Sequence, residues 1–259
     1  MKTVLFLIIL CLVGILCLLL YMFKEAFANR VNYQTLEFSN FPKSFGKIRL
    51  FFISDIHRRI VSDSLIEEVS GKVDVVIIGG DLLEKGVPME RVKENVKKLK
   101  TLGPILFVWG NNDYEVDVPI LDAMLLHLGV TSLVNSSIEF QSDEGDQLYF
   151  IGLDEISLGR HNLEQAMDEI DPNSFKILLC HNPKISRRIH SEYGISLLLS
   201  GHTHGGQIHL FGFSPYERGS LKKENDLTIL ISNGYGTTGV PLRLGAKAET
   251  HLISIEHRT

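Results

Sequence analysis

Asp55-Ile56-His57, Gly80-Asp81, Gly110-Asn111-Asn112-Asp113, His181-Asn182 and Gly201-His202-Thr203-His204-Gly205-Gly206 gather carboxylates, imidazoles and amides into five short blocks. Asp55 and His57 are one residue apart, so on an extended segment their side chains project to the same side and reach one ion. Asp81 follows two glycines, which let the backbone turn sharply and come close to a cation. A carboxylate has two oxygens and can bridge two cations about 3.5–4 Å apart. Asn111 adds a neutral carbonyl oxygen, and His202 and His204 repeat the one-residue spacing between flexible glycines. Mixed nitrogen and oxygen donors without thiolate suit Mn, Fe, Zn or Co and disfavour a structural zinc finger. Singly, each block has a plainer reading: Asp-x-His arises by chance, a strand-end Asp caps helices, and histidines occur in glycine turns. The joint order carries the metal site.

Every block follows an apolar run. Residues 48–53, 73–78, 105–109, 177–180 and 197–200 are short, aliphatic or aromatic, and bounded by glycine or polar residues, which predicts buried strands. An edge strand is expected near 34–38. Helical spacing is predicted over 62–70, 88–102 and 118–128, the last opened by Pro119, and further helices over 163–170 and 183–193. Strands near 137–140 and 148–153 flank a Gly/Asp turn, and the tail predicts strands at 207–210, 228–232 and 251–255. The resulting fold class is α/β, with two packed mixed sheets flanked by helices. Trp109 reads as core and Cys180 as a buried small apolar residue rather than a nucleophile. His127, His161, His190, His209, His251 and His257 have no ligand-like neighbours and read as structural or surface residues.

The 259 residues are 44% hydrophobic with a net charge of -5, which excludes disorder and disfavours nucleic acid as the main partner. No charged residue occurs from Thr3 to Phe23, and about 20 apolar residues suffice to span a bilayer. A cleaved signal is the alternative, since Ala26-Phe27-Ala28 resembles a cleavage site; its apolar region would run only about 7–15 residues. The expected organisation is an N-terminal transmembrane anchor over 1–23, a linker with edge strand over 24–47, and a domain over 48–259. Lys2 against Lys24, Glu25 and Arg30 barely sets orientation; a tail this short stays inside and places the domain outside the cytoplasm. Cys180 is the only cysteine beyond the anchor, so no internal disulfide forms there.

The order Asp55-x-His57, Gly80-Asp81, Gly110-Asn111-x-Asp113, His181, Gly201-His202-x-His204 resembles the calcineurin-like metallophosphoesterase superfamily, over about residues 46–256. Gly205-Gly206-Gln207-Ile208, with Gly236-Thr237-Thr238 and Pro241-Leu242-Arg243, is similar to its bacterial YkuE/YaeI-like branch, and the anchored layout to a Bacillus YpbG-type protein. The resemblance implies a β-sandwich flanked by helices and two divalent metal ions, Mn first and Zn, Fe or Co as alternatives. One ion would be held by Asp55, His57, Asp81 and His204, the other by Asp81, Asn111, His181 and His202. The implied activity is hydrolysis of a phosphate ester or phosphoanhydride, a phosphodiester or pyrophosphate bond favoured, by a hydroxide bridging the ions. The family usually carries His after the asparagine ligand; this chain has Asn112, whose amide donates a hydrogen bond but cannot deliver a proton. Asn112 and Asp113 are thus the expected catalytic residues, Asp113 orienting its neighbour or else stabilising a turn. Arg58 and Arg243 are candidate contacts for substrate phosphate, with Arg59 beside them, and solvated surface arginines are the alternative. The rival class is a catalytically silent platform at the membrane. Location alone suggests a lipid- or wall-associated phosphorylated substrate, and no protein partner follows from the residues.

Overall fold

The computed structural model describes residues 1–209 and 211–258. In chain order the elements are α1 (Lys2–Ala26), β1 (Val31–Phe38), β2 (Lys47–Ile53), α2 (Asp63–Val69), β3 (Val75–Ile78), α3 (Met89–Lys100), β4 (Ile105–Phe107), α4 (Val118–His127) and β5 (Val130–Ser132). They continue with β6 (Ser136–Gln141), β7 (Gln147–Gly152), α5 (Leu163–Ala166), β8 (Phe175–Leu179), β9 (Ile195–Ser200), β10 (Ser220–Glu224), β11 (Leu227–Ile231) and β12 (Thr250–His257). Helix α1 is long and apolar enough to cross a membrane, and residues 1–21 are exposed.

Two six-stranded mixed sheets result, ordered β1-β12-β2-β3-β4-β5 and β10-β11-β9-β8-β7-β6. In the first, β2 to β5 run parallel, as their helical crossovers require, while β12 is antiparallel to β2. In the second, β7, β8, β9 and β11 are parallel and β6 and β10 are antiparallel edges.

The continuous apolar runs exist because the central strands are covered on both faces. Along β2, Leu50 and Phe52 join Ile77, Phe150, Ile177, Leu199 and Ile253 between the sheets. Phe51 and Ile53 face the other way, onto Leu65, Val96, Leu99 and Leu121 of α2 to α4. On the far side of the second sheet, Ile151, Leu178 and Leu198 pack with Leu163, Ala166 and Ile185. The alternation of strand side chains thus feeds three separate cores. Helix α4 starts where expected: Asp117 accepts from the Ile120 N–H, and Pro119 occupies the first turn, where its missing N–H costs nothing.

Some local expectations fail for identifiable reasons. Residues 183–193 form two 3-10 turns, Pro183–Arg188 and Ser191–Tyr193, rather than a helix, closed by Gly194 in the left-handed region. Helix α5 is a single turn, four residues long. In the expected strand 207–210 only an isolated bridge from Ile208 to Leu244 and Gly245 forms, and Leu210 lies outside the described residues. The short β5 and the exposed β10 lack the apolar signal that marks the other strands.

Where the sheets meet near β7, Gly152 leaves no room for a side chain. A Cβ there would fall 2.1 Å from Leu133 Cβ and 2.9 Å from Leu133 O. Gly152→Ala is therefore expected to destabilise the fold by roughly 1–3 kcal/mol through overpacking. Urea denaturation of the detergent-solubilised protein measures it, and an unchanged midpoint would refute the close-packed junction.

Candidate metal centre

Five strands stop at one edge of the sandwich. β2 runs into Ser54-Asp55-Ile56-His57, β3 into Gly79-Gly80-Asp81, β4 towards Asn111, β8 into Cys180-His181 and β9 into residues 201–204. Parallel pairing within each sheet puts these C-terminal ends on one side. Asp55 and His57 do not sit on extended backbone as expected. Asp55, His57, Asp81, His202 and His204 have φ of 54°, 49°, 51°, 71° and 49°, in the left-handed region that non-glycine residues avoid. The Asp55 N–H donates to Gly80 O at 3.0 Å and the His57 N–H to Asp81 O at 3.2 Å, pinning the first turn to the second. Glycine is required at position 110, where a Cβ would lie 2.3 Å from Asp81 Oδ1.

The side chains converge. His57 Nε2 is 3.0 Å from His204 Nε2 and 3.7 Å from Asp81 Oδ2, and His204 Nε2 is 3.5 Å from Asp55 Oδ1. On the other side His181 Nε2 is 3.2 Å from Asp81 Oδ2 and 4.0 Å from Asp55 Oδ1. Donors bound to one cation at about 2.1 Å lie about 3.0–3.4 Å apart, close to most of these spacings. His181 Nε2 and Asn111 Oδ1 are buried without any hydrogen-bond partner. An orphaned buried polar atom costs about 1–3 kcal/mol, so the pair fits a bound ion better than a closed polar network. The His202 ring stands edge-on to that of His181 at 5.0 Å between centroids.

The tautomers that ligation needs are available, and the local charges favour a cation. His181 Nδ1 lies 2.8 Å from Gly79 O, and His57 Nδ1 3.2 Å from Glu84 Oε2; with the ring neutral, an N–H at each Nδ1 leaves Nε2 its lone pair. Burial opposes charge on both rings, but Glu84 at His57 and Asp81 and Asp55 at both outweigh it and raise them, so an ion would take the place of a proton at Nε2. Burial opposes charge on Asp81, yet His181, His57 and the Asn112 N–H outweigh it and hold the carboxyl well below its usual range. Burial, with His57 and Arg243 nearby, pushes His204 down to about 4 and keeps its imidazole neutral, the form that binds metals.

The remaining expected residues separate into distinct places. Asn112 lies on the rim: its N–H donates to Asp81 Oδ1 at 2.8 Å and its amide donates to Glu115 Oε1 at 3.1 Å. Asp113 is fully buried and accepts from the backbone N–H groups of Asp81, Gly110 and Leu83, tying the β3 and β4 loops together. Burial and the Asp81 charge push Asp113 up to about 7. Arg58 is exposed and paired with Glu84. Arg243, expected at the substrate, is fully buried instead, and its guanidinium donates to the backbone carbonyls of His204, Ala246, Asn233, Gly234 and Gly236. With every donor turned inward it supports His204 from behind. Arg59 is likewise buried, bonded to Tyr235 O and to carbonyls of residues 26–28. Burial, then the nearby Glu155 charge, raises the Cys180 thiol, which excludes a ready thiolate. Trp109 is core, its indole N–H on Ser132 Oγ.

Two acids escaped the sequence reading. Glu84 bridges Arg58 and His57, and Glu155, buried with Oε2 unpaired, lies beside His181 and His202. The signal for Glu155 was present: Asp154-Glu155 ends the apolar run of β7 as the other blocks end theirs.

Comparison with known proteins agrees with this geometry. Residues 48–206 match the family model for calcineurin-like phosphoesterase. The chain is 45% identical over 236 residues to Bacillus subtilis YpbG, covering 90% of each protein. It is 30% identical to the Bacillus subtilis metallophosphoesterase YkoQ, over 78% of this chain and 82% of that one. A Bos taurus transmembrane protein with a metallophosphoesterase domain is 29% identical over 82% of this chain, which spans only 54% of that protein. In fold the chain is similar to the 5'-nucleotidase precursor of Thermus thermophilus, with a TM-score of 0.53 at 14% identity, over 80% of this chain and 55% of that one. With ligand-type residues gathered at the sandwich edge and the family model spanning their loops, the chain belongs to the calcineurin-like phosphoesterase family.

Proposed function

We propose that the chain is a membrane-anchored, metal-dependent hydrolase of phosphate esters or anhydrides, a phosphodiester or pyrophosphate bond favoured. The observation that carries the reading is the convergence of Asp55, His57, Asp81, His181 and His204 within ion-sharing distance, with His181 Nε2 and Asn111 Oδ1 left unpartnered. Asp55, His57, Asp81 and His204 would hold one divalent ion, and Asp81, Asn111, His181 and His202 the second, Mn first among candidates. Asp55 Oδ1 also lies between the two groups, but Asp81 Oδ2 is nearer to the imidazole it would bridge towards, 3.2 Å from His181 against 4.0 Å. When bound, such ions supply Lewis acidity and lower the pKa of water towards neutrality.

The chain's own residues do the rest. Asp113 holds the Asp81 and Asn111 loops in register, so that both donors stay aimed at one point. Glu84 fixes the His57 ring and draws Arg58 to the rim, where its exposed guanidinium meets phosphate oxygens. Asn112 can donate a hydrogen bond to a leaving oxygen, but carries no proton to give it. Slow turnover of esters with poor leaving groups follows. Residues 1–23 act as the anchor, single-pass, with the domain of residues 48–259 outside the cytoplasm and β1 completing its first sheet. Carbonyls of residues 26–28 bound to buried Arg59 would be lost by cleavage after Ala28, which favours retention of the segment.

Hydrolysis of bis-p-nitrophenyl phosphate with added Mn tests the reading. Asp81→Asn should lose at least about a hundredfold in turnover, since it removes the bridging charge. Bound metal without turnover of the diester or the monoester would instead support a silent platform, to which Asn112 in place of His already lends an argument. Asn112→His supplies the missing proton donor and should raise turnover of an alkyl phosphate by about ten- to a hundredfold, with little gain on p-nitrophenyl esters. Equal gains on both substrates, or none, would show that position 112 does not limit leaving-group departure.

A further inference from the structure

Helix α1 is not joined to the fold by a free tether. Its last turn is buried at Met22, Glu25 and Ala26, and its end is clamped at two places. The Arg243 N–H donates to Met22 O at 3.0 Å, while Arg243 itself braces His204. Arg59, two residues beyond His57 and 8% exposed, donates to Ala26 O, Phe27 O, Ala28 O and Asn29 Oδ1 and stacks 3.6 Å over the Tyr235 ring. A helix of 25 residues is about 37 Å long, enough to cross a hydrocarbon core of about 30 Å and emerge at its surface. The end that emerges is held against the loops of the metal centre, so that face of the sandwich meets the membrane.

The same face exposes apolar side chains on three loops. Phe211, Phe213 and Tyr216 are 109%, 73% and 62% exposed, Val240 54% and Ile60 50%. The aromatic loop is rooted at the centre on both sides. It leaves the His204 turn through His209, whose N–H donates to Leu244 O, next to the Arg243 clamp, and returns at Ser220, paired with Ile231 at the end of β11. Gln207 donates to Val240 O at 2.9 Å and joins the loop to its neighbour. Scattered single apolar residues on a surface need no explanation, but three aromatics within six residues beside a membrane-length helix do. Tyrosine favours the headgroup region, where its apolar ring and polar hydroxyl are both satisfied, and exposed phenylalanines bury apolar area at the acyl boundary.

We propose that the loop of residues 211–216, with Ile60 and Val240, rests in the surface of the bilayer that α1 crosses. The metal centre then opens onto that surface, and its substrate is a phosphoester carried there by an amphiphile. The substrate clause rests on the hydrolase reading above; the docking does not.

The full chain in phosphatidylcholine nanodiscs, with or without bromine on the acyl chains, separates the two. Tryptophan at Phe213→Trp should be quenched about twofold by brominated lipid, while Leu126→Trp, exposed on α4 at the opposite end, should not; native Trp109 is buried and gives a constant background. Equal, weak quenching at both positions would overturn the docking. Hexadecyl p-nitrophenyl phosphate in vesicles and the soluble ethyl ester then test the substrate. The double variant Phe211→Ser, Phe213→Ser should lose about tenfold on the first and nothing on the second. Equal losses would overturn the substrate clause. Turnover of neither ester by the unmodified protein would overturn the hydrolase reading, with the quenching result still deciding the docking.

Discussion

Two carboxylates, Asp55 and Asp81, stand at most 2% exposed among four imidazoles, and the rest of the structure serves that concentration of cation-seeking groups. Bare charges in a dry site are costly unless paired or ligated. The site partly answers this cost with its own dipoles: Ser54 Oγ and the His202 N–H on Asp55, the Asn112 N–H on Asp81. Asn111 Oδ1 and His181 Nε2 are among the atoms left without a hydrogen-bond partner. Beside two buried carboxylates, an unpaired carbonyl oxygen and an imidazole nitrogen suit a cation.

Gathering these groups demands backbone conformations that aspartate and histidine do not favour. Left-handed backbone costs roughly 1–2 kcal/mol for most side chains, less for Asp, and it recurs at Asp55, His57, Asp81, His202 and His204. The surrounding structure holds these turns against relaxation. Parallel strands fix where each turn begins, the β2 loop hangs on the β3 loop by two backbone bonds, and Asp113 collects three N–H groups from the next pair. Asp113 is worth more to the centre as a clasp than as a charge, and its elevated pKa follows from the same burial.

How much of this was legible in sequence depends on the range of the physics. The doubly covered strands announced themselves as unbroken apolar runs, and their polar endings marked the blocks that the fold brings together at one edge. What failed needed information from a distant partner. Arg243 reads as an accessible cation until five carbonyls from residues 204–246 enclose it. Glu84 has no motif, only a position that reaches His57 after the β3 loop turns back. Glu155 was legible by the very rule that found the others, a polar pair after an apolar run, but without histidine or glycine beside it Asp154-Glu155 reads only as a strand end. Left-handed backbone at aspartate and histidine left no trace in residue type.

The arginines show how the demands of the fold and of the site are divided. Arg58 and Arg59 are neighbours, yet their environments differ in kind. Arg59 turns inward, where it satisfies helix-end carbonyls that no intrahelical N–H can reach and joins α1 to the Tyr235 loop. Its five donors in a fixed fork suit that task, which the single ammonium of lysine could not perform. Arg243 does the same behind His204. Because these two are committed to carbonyls, neither can follow a substrate without releasing the loops that carry Asp55, His57 and His204. Arg58, with its side chain 66% exposed and tethered only to Glu84, can move without that cost. The division leaves the loops of the candidate metal centre tied to the fold by buried arginines and the rim arginine tied by one exposed pair, an arrangement that suits the proposed hydrolase reading.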